Sequence, residues 1–167
     1  MNLSRRSLLG VAGTVLTGFT GCLSSDSVEY RHSFRIKPRP VLEDGLATDT
    51  TALSYDVRLL TSPADVEPIE LETIACKECR HALRTTNFEA GQFWSVVEIL
   101  VPADWAANTH RVTLTEDGAR HVVQLLEGDR TAYQTKLYTL FAGYETDPSL
   151  VPDSVTVDRV IEDVSWS

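Results

Sequence analysis

Lysine is scarce in this chain, with 3 residues against 12 arginines in 167. No basic patch interrupts the acidic surface, so the charge pattern excludes a nucleic-acid partner, which would need clustered cations along a phosphate backbone. Long apolar runs are also missing. The weakly apolar stretch at residues 8–21 has only 14 positions and is diluted by Gly10, Gly13, Thr14, Thr17 and Gly18. A membrane-spanning helix takes roughly 20 apolar residues, so this stretch does not cross a bilayer. The sequence has no Gly-x-Ser-x-Gly elbow, phosphate loop, Gly-x-Gly-x-x-Gly or His-Glu-x-x-His. It therefore offers no known handle for acyl transfer, nucleotide binding or zinc proteolysis. Internal repeats and low-complexity tracts are absent too. Cysteine is limited to three, Cys22, Cys76 and Cys79.

Among what is there, the first 22 residues are the most specific. Ser4-Arg5-Arg6-Ser7-Leu8-Leu9 gives a basic start, residues 8–21 an apolar middle, and Phe19-Thr20-Gly21-Cys22 a small-residue end. These are the three parts of a secretory signal. The arginine pair followed by Leu8 and Leu9 resembles a twin-arginine export signal, whose cargo crosses the membrane already folded. The last four residues resemble a lipobox. That resemblance implies cleavage before Cys22, a lipid on its thiol, and a protein tethered to the outer face of the cell membrane. Residues 1–21 are then the signal peptide, residues 22–27 the lipidated cysteine with a short tether, and residues 28–167 one domain.

Removing residues 1–21 leaves 146 residues with all 24 Asp and Glu and 13 of the 15 Lys and Arg, a net charge of −11. Low lysine, abundant carboxylates and this type of signal together resemble haloarchaeal exported lipoproteins. High net charge resists association. Its self-repulsion is tolerable where concentrated salt shortens the Debye length to about 3 Å.

The mature part reads mostly in period two, with turn residues at short intervals. Strands are expected over 28–37, 51–60, 68–75, 93–101, 109–127 as a hairpin, 131–144 and 154–165, with one helical turn over 103–108. Phe93, Val97, Ile99 and Val101 on one face and Trp94, Val96 and Leu100 on the other predict a central strand covered on both sides. Asp117-Gly118 predicts a tight hairpin turn, with His110, Val112, Leu114, His121, Val123 and Leu125 facing the core. The segment 131–144 fits helical spacing through Tyr133, Leu137, Phe141 and Tyr144, but its Thr and Tyr content favours strand. Seven to nine short strands predict an all-β fold, an antiparallel β-sandwich that is immunoglobulin-like in broad architecture.

Cys76-Lys77-Glu78-Cys79 is the one chemical motif in the folded part. Three readings remain open. Outside the cell, two nearby cysteines form a disulfide, here a local staple. A thiol redox pair would need a helix start in a βαβ context, and the sequence shows neither. A metal site would use Cys76, Cys79 and His81, with His32, His110 or His121 as a fourth ligand for zinc or copper. His110 and His121 stand about 13 Å apart along the ladder, too far to share one ion. The preferred reading has no metal, no cofactor and no catalytic residue. Acidic pairs such as Glu43-Asp44 and Glu162-Asp163 read as solvated surface, and the spacing of Asp147, Asp153 and Asp158 matches no calcium loop. Trp105 and Tyr144, if exposed, would anchor a partner. The expected function is therefore a lipid-anchored extracytoplasmic binding or accessory module, non-enzymatic, serving an envelope protein. The alternative is a metal-binding or thiol-redox envelope protein.

Overall fold

The computed structural model describes residues 28–36, 41–47, 52–128 and 134–163. Arg5, Arg6 and Cys22 lie outside the described residues, as do Val164 and Trp166 of the expected closing strand. The described residues form β1 (Glu29–Ile36), β2 (Tyr55–Leu60), α1 (Pro63–Val66), α2 (Lys77–Arg84), β3 (Gln92–Pro102), β4 (Ala106–Thr115), β5 (Gly118–Glu127), β6 (Thr135–Glu145) and β7 (Val155–Asp163). One sheet has the order β1-β6-β3-β2 and the other β4-β5-β7. The fold is all-β and sandwich-like, as the period-two pattern predicts.

β3 and β6 are the centre. Both are buried along almost their whole length, because both faces of their sheet are covered. On the inner face Val97, Ile99, Val101, Tyr138 and Leu140 meet Val123 and Leu125 of the second sheet, and Phe93 meets Val112 and Ala119. On the outer face Trp94, Val96 and Phe141, with Leu60 of β2, meet Ile74, Cys79 and Leu83 from the helical and loop layer. Full burial of each large apolar side chain contributes about 1.5–3 kcal/mol. The stack is thus helix and loop, sheet, sheet.

Five local expectations need correction. β7 runs parallel to β5, so the second sheet is mixed rather than antiparallel. The chain leaves β5, crosses to the other sheet as β6, and returns. Residues 68–75 are not a strand: Leu71–Thr73 is a 3₁₀ turn, and Ile69 makes one isolated bridge with Leu42. Ile69 and Ile74, five residues apart and so of opposite strand parity, both reach the core from this irregular segment. Residues 103–108 are no helical turn. The Trp105 N–H donates to the Pro102 carbonyl in a tight turn, and β4 starts at Ala106. Trp105 and Tyr144 are buried, at 8% and 6% exposure, so they offer no exposed anchor.

The fifth correction concerns the hairpin. Thr115 pairs with Gly118, so the loop is Glu116-Asp117, and Val112 rather than Leu114 faces His121. The shift keeps every side chain's parity, and the predicted inner face survives except at one position. A bulge between Thr109 and Arg111 turns His110 out to solvent. Gly118 is required where it stands. Its φ is +124°, and a Cβ would lie 2.7 Å from the Ser154 carbonyl oxygen.

Candidate functional site

Helix α2 begins at the cysteine motif. The Cys79 N–H donates to Cys76 Sγ at 3.2 Å, which makes Cys76 the N-cap. Glu78 lies in the first turn and His81 and Arg84 in the last, each matched to the helix dipole. Cys79 and Leu83, four apart, form the buried stripe that docks the helix on the sheet. Cys76 and Cys79 are joined in a disulfide with Cα atoms 5.2 Å apart. Cys76 is exposed and Cys79 is buried. The helix start that a redox pair needs is therefore present, contrary to the reading from sequence. The bond uses both thiols that a metal would need. Among the described residues no group of three His, Cys, Asp or Glu is placed to hold a metal ion, which corrects the set Cys76, Cys79 and His81.

The outward flank of α2 forms one wall of a cleft of about 330 Å³. His81 comes from the helix, Arg31 and His32 from the start of β1, and Gln92 and Trp94 from β3. β6 contributes Gly143, which pairs with Trp94 across the ladder. A Cβ there would lie 3.0 Å from the indole, so glycine leaves room for the ring. Trp94 Nε1 donates to Thr86 Oγ1 at 2.8 Å, and the Thr86 hydroxyl donates to the Ala82 carbonyl. These bonds tie the helix to the sheet. At the rim, Glu145 accepts from Arg31 and from Gln92 Nε2.

His32 is the unusual group in this cleft. Its ring packs on Phe34 at 5.8 Å and edge-on to Trp94 at 6.3 Å. Its Nε2 is buried and has no hydrogen-bond partner. An unmade bond at a buried polar atom costs about 1–3 kcal/mol. Of the four histidines, the structure brings His32 and His81 to one cleft and keeps His110 and His121 elsewhere. The sequence offers His81 beside Cys76 and Cys79 as a metal ligand, and His32, His110 or His121 as a fourth. The burial of His32 depends on α2, which no periodicity announced.

Two further polar groups are buried outside the cleft, one of them, His121, at a position expected to face the core. His121 is fully buried between the sheets, where Nδ1 meets Ser95 Oγ at 2.8 Å and Nε2 meets Thr109 Oγ1 at 3.1 Å. Burial lowers its pKa from 6.5 to about 4. Serine beside histidine is the arrangement of a nucleophile and its base. Here the third group is a hydroxyl and not a carboxylate, and Ser95 is 0% exposed. Substrate has no access, and the trio is a link between β3, β4 and β5.

Glu98 is the other, at 0% exposure on the outer face of β3. Oε1 accepts from the N–H groups of Val41 and Leu42 at 3.0 and 3.2 Å, and Oε2 from that of Leu46 at 2.8 Å. The carboxylate thereby shapes residues 41–46, whose carbonyl at Asp44 accepts from Arg58. Two of the three acids considered for calcium, Asp147 and Asp158, serve separate local tasks. Asp147 caps the turn at Pro148–Leu150 through Ser149, and Asp158 pairs with Arg120 at 3.5 Å.

No family model, curated protein or solved structure matches this chain. Its site is therefore read from its own geometry.

Proposed function

We propose that the protein is a lipid-anchored module on the outer face of a membrane that binds a ligand or envelope partner at the α2 cleft without transforming it. The cleft is the observation that carries this reading: a concave site of about 330 Å³ with an unsatisfied imidazole nitrogen. Its size falls at the small end of ligand sites, about 300–1,000 Å³. The sealed Ser95–His121 pair favours binding over catalysis. The twin-arginine and lipobox resemblance supports export and anchoring. Only ten residues separate Cys22 from His32, a reach of at most about 36 Å, so the cleft would face partners held close to the bilayer. The net charge of −11 and the low lysine content support adaptation to concentrated salt.

The test is crosslinking in intact envelopes at native salt, beside a Cys22→Ser variant. The intact chain is expected in the membrane fraction with a reproducible partner band, and the variant in the soluble fraction. Repeated recovery as a lone monomer would sink the partner reading.

A second reading has one specific observation behind it, the exposed Cys76 at a helix N-cap over a buried Cys79. This is the geometry in which a thiolate is stabilised. A partner thiolate would attack Cys76 Sγ and release the Cys79 thiolate. The partner dithiol would end oxidised and the 76–79 pair reduced. A Cys79→Ser variant would trap mixed disulfides through Cys76. A chain that yields none, and resists mild reductant, leaves the bond as a staple.

A further inference from the structure

We propose that the α2 cleft takes a compact oxyanion, a carboxylate or a phosphate group, held by His32, His81 and Arg31. This rests on the cleft being the binding site and names the class of ligand it takes. The mature chain is strongly acidic, yet the cleft lining carries three cationic or cation-forming side chains, Arg31, His32 and His81, and no carboxylate. Most other polar groups around it are already engaged. Thr85 Oγ1 donates to the His81 carbonyl, Thr86 bonds Trp94 and Ala82, and Gln92 uses its oxygen on the Asn87 N–H and its amide on Glu145. The imidazole of His81 stays available, together with N–H groups of Arg31 beyond the one given to Glu145, and Nε2 of His32 lies unpartnered beneath the cleft surface, where a turn of the ring would bring it to a ligand. What the cleft offers is therefore a set of donors around an aromatic wall, Trp94. Acceptors with negative charge satisfy such donors with charge-assisted bonds. Two imidazoles fall short of the three or four protein ligands of a zinc site.

The full chain is titrated with sodium phosphate and, separately, sodium acetate at constant chloride and pH, with histidine ring signals followed by NMR. The ring signals of His32 and His81 are expected to shift saturably with at least one probe, while those of His110 and His121 stay in place. Saturation by phosphate alone assigns the phosphate class, and by acetate alone the carboxylate class. His81→Ala, at an exposed position that leaves the core intact, is expected to weaken binding about tenfold, as loss of one charge-assisted bond would. His32→Ala is expected to abolish saturation. Three results would overturn the proposal: no saturable shift with either anion, equal shifts at all four histidines, or saturation by glycerol or zinc chloride in place of the anions. Crosslinking to an envelope partner is read separately, so a protein that captures a partner but ignores both anions loses this inference and keeps the binding role.

Discussion

A histidine lies on each side of the β1-β6-β3-β2 sheet, His121 of β5 inside and His32 of β1 outside, and the two are in opposite conditions. On the inner face His121 has both ring nitrogens partnered and no exposure. On the outer face His32 has a buried nitrogen with no partner. The inner interface is strand on strand and behaves as scaffold, although Trp105 Nε1 within it also lacks a partner. The outer one is a helix and a loop laid on strands, and it contains the disulfide, the cleft and the unpartnered nitrogen of His32. Polar groups inside a protein are ordinarily paired, so a lapse in pairing beside an open cleft is where a ligand has something to complete.

If that contrast is right, the outer layer should break most easily at Glu98. Replacing it with Leu leaves three backbone N–H groups of residues 41–46 without their acceptor. A stability loss of about 3–5 kcal/mol is expected in denaturant unfolding, since each buried donor left without an acceptor costs about 1–3 kcal/mol and the apolar replacement offsets part of the sum. A loss below about 1 kcal/mol would mean that the loop is organised by its apolar contacts, Val41 and Leu42, instead.

The inner face should answer to pH. His121 is neutral in the fold, with a pKa near 4 against an ordinary 6.5. Below pH 6.5 the unfolded chain takes up a proton that the folded chain refuses, so this contribution is full above pH 6.5 and is lost as pH falls toward 4. The size is about 3 kcal/mol across that window. Comparing melts of the wild type and His121→Gln isolates it from the carboxylates: the variant should lose less stability between pH 6.5 and 4. Equal slopes would place the imidazole in contact with water and weaken the contrast with His32.

The same division explains what the sequence could reveal. The inner interface obeys period two, so β3 and the faces of the hairpin are legible from Phe93, Val97, Val112 and Val123, whereas 131–144 fits helical spacing as well and only its Thr and Tyr content tips it to strand. Even a slipped hairpin register left parity intact. The outer layer has no period to read. Helix α2 is eight residues with Cys79 and Leu83 as its buried pair, shorter than any window that detects amphipathicity. Glu98 sits among apolar neighbours and looks like an outward charge until residues 41–46 fold over it. His32 resembles any strand histidine until α2 closes on its far side. The parallel pairing of β7 is a property of chain routing, which local pattern does not encode.

The disulfide separates structure from chemistry within the outer layer itself. Its loop is so short that the chain-entropy contribution is about 2 kcal/mol. Reduction should lower stability by no more than that and leave α2 in place, because Leu83 still docks and Thr86 still holds Trp94. Guanidinium unfolding with and without reductant measures it. A loss above about 4 kcal/mol would make the bond the pin of the whole helical layer.

The smallest effect is the sharpest for the contrast, because its sign should reverse. His32→Phe keeps a planar ring against Phe34 and Trp94 and removes the nitrogen that lacks a partner. The expected change is neutral to stabilising, about 0–1 kcal/mol, since deleting an unsatisfied buried polar atom relieves its desolvation. His121→Phe, by the same chemistry, strands the hydroxyls of Ser95 and Thr109 and should destabilise by about 1–3 kcal/mol. Urea midpoints of the two variants, measured side by side, decide it. Destabilisation of equal size at both positions would show that His32 has a partner after all, and with it the case for a waiting cleft would go. A gain at His32 would mark it as a residue kept against stability, which is the signature of a residue kept for binding.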